Sequence, residues 1–264
     1  LVACTEGIIK LMSKQELKNE SVLKRPLQAD SLKYYSQLHS FPWNVVTKVT
    51  CGITTATMAI SLKHQNVLPL DVLSVACNLH QVPKHDKNYW VQATYDKQKI
   101  VIPVGTNIRK NMMENIEKDN NLQLLSVNKN NDNQYKPVFS LNTGYDHRGS
   151  LALFAEFGIK AEKLGDPKDK LSEKRLTHIL KEGGVFMASV KSSVTAWEPN
   201  KGAPPTHVVL LTDVIHFKNE DWYYIVDPYS KTESKVVFLQ PTRAFCEMEF
   251  SGYGTAIYVN EKTT

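Results

Sequence analysis

The chain has 264 residues, 42% of them hydrophobic and 22% charged, which is the composition of an ordinary globular core. Collagen, coiled coil and disorder are excluded for the whole, and the length allows one large domain or two small ones. Lys and Arg number 32 against 27 Asp and Glu, a net charge of +5, but these charges are scattered and mixed in sign, so nucleic acid is not expected as a partner.

In chain order, the opening Leu1-Val2-Ala3-Cys4 is similar to the end of a bacterial lipoprotein signal, where a small residue precedes a cysteine lipidated after cleavage. On that reading Cys4 anchors the chain to a membrane and it works outside the cytoplasm, secreted or at the cell envelope. The alternative is an ordinary N-terminal strand or tail with a buried thiol. Residues 5–33 mix charges without an apolar stripe, which assigns 1–32 to a leader or tether and 33–264 to the folded domain. No apolar run reaches the roughly 18 residues that span a bilayer.

From Lys33 the text turns aromatic and β-branched, with Pro42 breaking any continuous element. Apolar residues at helical spacing predict a helix from Cys51 toward His64 and a second over 68–80. A strand is expected at 99–104, a helix at 106–118 and a loop at the Asn-rich 128–136. The last third reads as a helix at 149–157 stopped by Gly158, a helix within 170–184 capped by Ser172, and strands at 185–190, 207–217, 222–228, 235–240 and 254–259. Helices first and antiparallel strands last, with hairpin turns at 218–221 and 229–233, define an α+β chain.

Four cysteines without paired spacing make no disulfide framework, so each thiol is judged alone. A nucleophilic thiol needs its pKa lowered by a helix N-terminus or an imidazole. Cys51 opens a helix, whereas Cys77 lies inside an apolar helical pattern and Cys246 reads as packing at a strand or strand edge. Among eight histidines, His207 begins a strand after a Gly-Ala-Pro-Pro loop that could act as a flap, and Asp227 ends the next strand before Pro228. Two adjacent antiparallel strands would set that carboxylate beside that imidazole, as base and orienter of a triad. His147, beside Asp146 and Arg148, is the rival base; its plainer reading is a surface residue ahead of a helix. Cys77, His80 and His85 have partial zinc spacing without a fourth ligand, so no metal is expected. Trp43, Tyr145 and Trp197 are candidates for a cleft or for packing.

The strings YYSQ at 34–37, CGITTATMAI at 51–60, GYDHRGSLALFAEFGI at 144–159, GGVFMASV at 183–190, THVVLLTDV at 206–214 and YYIVDPYS at 223–230, in that order, resemble papain-fold cysteine peptidases similar to the bacteriocin-processing, double-glycine leader peptidases, stand-alone bacterial members above all. The likeness covers roughly 33–240. It implies a papain-like fold and a cysteine peptidase, with Cys51 as nucleophile, His207 as general base and acid, Asp227 as orienter, and Gln37 as the glutamine whose amide helps stabilise the oxyanion. Its implied partner is a peptide or protein substrate, with amidase or transpeptidase chemistry as variants and no cofactor. The chain departs from the family in carrying Ile53 where proline commonly follows Cys-Gly. The alternative is a non-catalytic descendant that keeps the cleft to bind peptide or cell-wall fragments.

Overall fold

The computed structural model describes residues 28–79, 89–105, 108–126, 138–191, 206–217, 219–229 and 237–259. Cys4, the flap loop with Trp197, the 128–136 loop, and His80 and His85 of the zinc spacing lie outside them.

Four helices open the described chain: α1 (Gln28–Ser31), α2 (Asn44–Thr47), α3 (Cys51–Ser61) and α4 (Pro69–Asn78). Helix α4 starts sharply because Pro69 occupies its first turn and the Asp71 carboxylate accepts from the Leu68 amide at 3.0 Å. Every residue of α3 is buried, so it lacks the single apolar stripe of a surface helix.

A three-stranded sheet follows, β1 (Tyr89–Tyr95), β2 (Gln98–Gly105) and, after α5 (Lys110–Glu117), β3 (Leu122–Ser126), in the order β2-β1-β3. Strands β1 and β3 went unread in the sequence. The β1–β2 turn is Asp96-Lys97, both at positive φ, a geometry usually announced by Asn-Gly or Asp-Gly. Next come the short pair β4 (Phe139–Ser140) and β5 (Gly144–Tyr145), helix α6 (Ser150–Glu156), strand β6 (Lys160–Leu164) and helix α7 (Glu173–Lys181). Ser172 caps α7 as expected, accepting from the Arg175 amide at 3.3 Å.

The remainder is β7 (Val185–Lys191), β8 (Thr206–Phe217), β9 (Glu220–Val226), β10 (Val237–Pro241), a helical turn α8 (Thr242–Ala244), a π-helical turn Phe245–Glu249 and β11 (Phe250–Tyr258). With β6 they form a six-stranded antiparallel sheet in the order β10-β9-β8-β7-β11-β6. The chain is α+β, with helices on both faces of this sheet. Val185, Met187, Val208 and Leu210 belong to one core, with α3 and α4; Phe186, Ala188, Val190, Val209 and Leu211 belong to the other, with Leu176, Ile179 and Leu180 of α7. Period-two alternation is what lets one strand feed both cores.

Two side chains sit elsewhere than expected. Cys246 is in the π-helical turn rather than on a strand, because Pro241 ends β10 and the chain coils before β11 begins. His147 is not on the surface: it is 4% exposed, its Nδ1 2.9 Å from the Thr255 hydroxyl and its Nε2 2.9 Å from that of Ser189. Residues 28–31, read as leader, form a helix bonded to β8. Among the described residues no helix is long and apolar enough to cross a membrane.

Candidate active site

Cys51 is the first residue of α3, where backbone amides lack intrahelical acceptors and the helix dipole favours negative charge. The next residue must be small, since a Cβ on Gly52 would lie 2.1 Å from that of Tyr145. Tyr145 thus packs on the start of α3, its ring edge-on to His147 at 5.5 Å. Trp43 is wholly buried, so it is core rather than cleft.

His207, near the start of β8, and Asp227, just past the end of β9, are both buried, with Nε2 of the imidazole 2.7 Å from Oδ1 of the carboxylate. With Nε2 on the carboxylate, Nδ1 is the ring nitrogen left free, and the Cys51 sulfur lies near enough to favour the charged ring. Burial alone would push the imidazole pKa down; the Asp227 charge and hydrogen bond, with the Cys51 sulfur, outweigh it and hold the ring above its ordinary value. The same Asp227 oxygen accepts from the Tyr229 amide at 2.7 Å, and the Tyr229 ring stands edge-on to His207 at 6.1 Å.

A bulge brings the pair together. From Phe217↔Glu220 to Asp213↔Tyr224 the β8–β9 register is regular, and beyond it Leu211 faces Ile225 and Leu210 faces Val226, so Thr212 is an extra residue. Continued by one residue, this register sets Asp227 beside Val209, on the same side of the strand as His207. Without the insertion Asp227 would stand beside Leu210, on the other side.

Gln37 is fully buried between the two halves of the site. Its backbone amide donates to the Pro228 carbonyl at 2.9 Å and its Nε2 to the Thr47 carbonyl at 3.2 Å, while its Oε1 has no hydrogen-bond partner. One side-chain N–H is therefore held on the segment leading to Cys51 and the other is uncommitted. The structure thus brings His207 to Asp227 and to the Cys51 sulfur, and ties Gln37 to Pro228, next to Asp227, and to Thr47, ahead of Cys51.

Sequence reasoning missed three supporting residues. Tyr34 donates its hydroxyl to the Asp227 carbonyl at 3.4 Å; Tyr229 is described above; and Thr55, one turn along α3 from Cys51, donates to the Val208 carbonyl at 3.1 Å, next to His207. The available signal for Thr55 was a polar residue four positions after the cysteine, on the same helix side.

His147 has no carboxylate hydrogen-bonded to its ring, and burial pushes its pKa down to about 4. It is a neutral packing residue in a hydroxyl cluster. The Cys77 thiol is pushed up by burial, and no group of metal-ligating side chains occurs among the described residues.

Beside the Gln37 loop runs a groove of about 670 Å³, lined among others by Tyr34, Phe41, Leu68 and Tyr95. Leu68 and Tyr95 are 49% and 48% exposed, large apolar side chains facing open space. No protein-family model matches the sequence, and no curated protein is significantly similar to it.

Proposed function

We propose that the protein is a thiol-dependent hydrolase of papain-like fold that cleaves peptide or amide bonds. One observation carries this reading: a buried His207–Asp227 pair at 2.7 Å whose ring also meets a cysteine at a helix N-terminus. His207 takes the Cys51 proton and the thiolate attacks the carbonyl carbon. The Cys51 backbone N–H and the free N–H of the Gln37 amide hold the developing oxyanion. The C–N bond breaks as His207 returns the proton to the leaving amine, giving a thioester. Water, deprotonated by His207, attacks that thioester; the acid departs and the proton goes back to sulfur. Asp227 fixes the ring tautomer and stabilises the imidazolium throughout.

The groove beside Gln37, lined by aromatic and aliphatic side chains with Ser36, Ser40 and His39 and by no carboxylate, suits neutral residues of a peptide. A lipid on Cys4 would place this activity at the outer side of a cell envelope. A second reading drops the chemistry and keeps the groove for binding; the 7% exposure of Cys51 favours it. Irreversible alkylation of the native full chain separates the two. Stoichiometric labelling at Cys51 that is lost in His207→Ala is expected for a hydrolase. Labelling of all four thiols or of none favours the binding module.

A further inference from the structure

The bulge in β8 is not left to itself. Four hydrogen bonds from one short segment converge on it and on the neighbouring strand start. Gln28 Nε2 donates to the carbonyls of Thr212, the inserted residue, and of Gly184, both at 3.2 Å. The backbone amides of Gln28 and Ala29 donate to the two oxygens of the Asp213 carboxylate, at 3.2 and 3.4 Å. Asp213 is 1% exposed and Thr212 is wholly buried, so these bonds are shielded from water, where losing a partner costs most. A carboxylate in the middle of a central strand is costly unless amides satisfy it, and here the capping amides come from the first turn of α1.

We infer that Gln28 and Asp213 are positioning residues: together they clamp the extra residue Thr212 in β8 and so hold the register that puts Asp227 on the His207 side of the strand. The inference rests on the thiol-hydrolase reading, since it assigns these residues to the geometry of that triad. It gives the Gln28–Ser31 helix a role at a distance from the reacting atoms. The clamp acts through strand parity: if β8 slips by one residue at the bulge, the carboxylate turns away and the imidazole loses its orienter.

The test is the pH dependence of Cys51 alkylation by iodoacetamide in the full chain, with the melting temperature followed alongside. In Asp213→Asn and in Gln28→Ala the reactive limb should move toward that of Asp227→Ala, with alkylation near neutral pH slowed about tenfold or more. Thr177→Val removes a 2.9 Å hydroxyl contact with Tyr223 near α7 and serves as a structural control. It should lower the melting temperature and leave the pH profile alone. Clamp variants that lose stability but keep the wild-type profile would overturn the inference, as would a control that shifts it equally. Should Asp213→Asn not fold, Gln28→Ala decides alone, because it leaves the carboxylate capped by both backbone amides. If His207→Ala itself leaves the wild-type profile unchanged, the hydrolase reading fails; if only the clamp variants do, the clamp alone fails.

Discussion

Gly52 and Tyr145 are packed so closely that no side chain fits between them: a Cβ on Gly52 would fall 2.1 Å from the tyrosine Cβ and 2.4 Å from its Cγ. The Cys-Gly dipeptide is therefore explained by contact rather than by backbone freedom, as Gly52 lies within a regular helix. Gly52→Ala should cost about 1–3 kcal/mol in chemical denaturation, the range for overpacking a filled site. It should also slow Cys51 alkylation, because the helix start must move. Unchanged denaturation midpoint and unchanged labelling would show that Tyr145 yields freely.

The His207–Asp227 pair predicts the alkaline limb of stability. The folded imidazole is raised above its unfolded value, to about 10, so the pair's contribution is complete below the unfolded pKa of about 6.5 and is lost as pH rises toward about 10. Asp227→Asn should flatten the fall of unfolding free energy over that window. A wild-type curve equally flat would mean that the pair is not formed in solution.

His147 predicts the opposite limb. Its folded pKa is lowered to about 4 by burial, so the unfolded chain binds the proton first as pH falls from about 6.5. Stability should decline by up to about 1.4 kcal/mol per pH unit from this group across that window. His147→Gln, which keeps a hydrogen-bonding side chain without titrating there, should reduce the slope in urea titrations at pH 4–6.5 and leave the rate of Cys51 alkylation near neutral pH unchanged.

Gln37→Ala should affect both fold and rate. The side chain is fully buried and bonded to the Thr47 carbonyl, so its removal should lower stability by about 1–3 kcal/mol. On the proposed thiol-hydrolase reading, loss of one oxyanion donor raises the barrier by a further about 2.7–4 kcal/mol. Turnover of a p-nitrophenyl ester, measured well below the melting temperature, should therefore fall by at least about a hundredfold. A fall no larger than the unfolded fraction accounts for would remove Gln37 from the oxyanion site.

Much of the α+β framework was legible because its signals are local. Ser172 before an apolar-periodic run, Gly158 at φ +62 after α6, and the two-residue turn with Asn219 at φ +63 between β8 and β9 each act within a few residues. That turn also made the approach of His207 and Asp227 readable, since a hairpin fixes which residues can meet. What sequence could not supply was parity. Nothing in LLTDV announces that Thr212 is an insertion, because the bulge is held by Gln28, far away in the chain. His147 was misplaced for a related reason: its partners Ser189 and Thr255 come from β7 and β11, and a histidine flanked by Asp146 and Arg148 looks solvated until those strands close over it.

The distribution of the site along the chain has a consequence for biosynthesis. The sulfur leaves the ribosome well over a hundred residues before its imidazole, and β8 must pair with both β7 and β9 before that ring is oriented. Until that pairing is made, the thiol has no imidazole beside it. The Cys51, His207 and Asp227 arrangement is thus assembled only after the strands of the large sheet have paired.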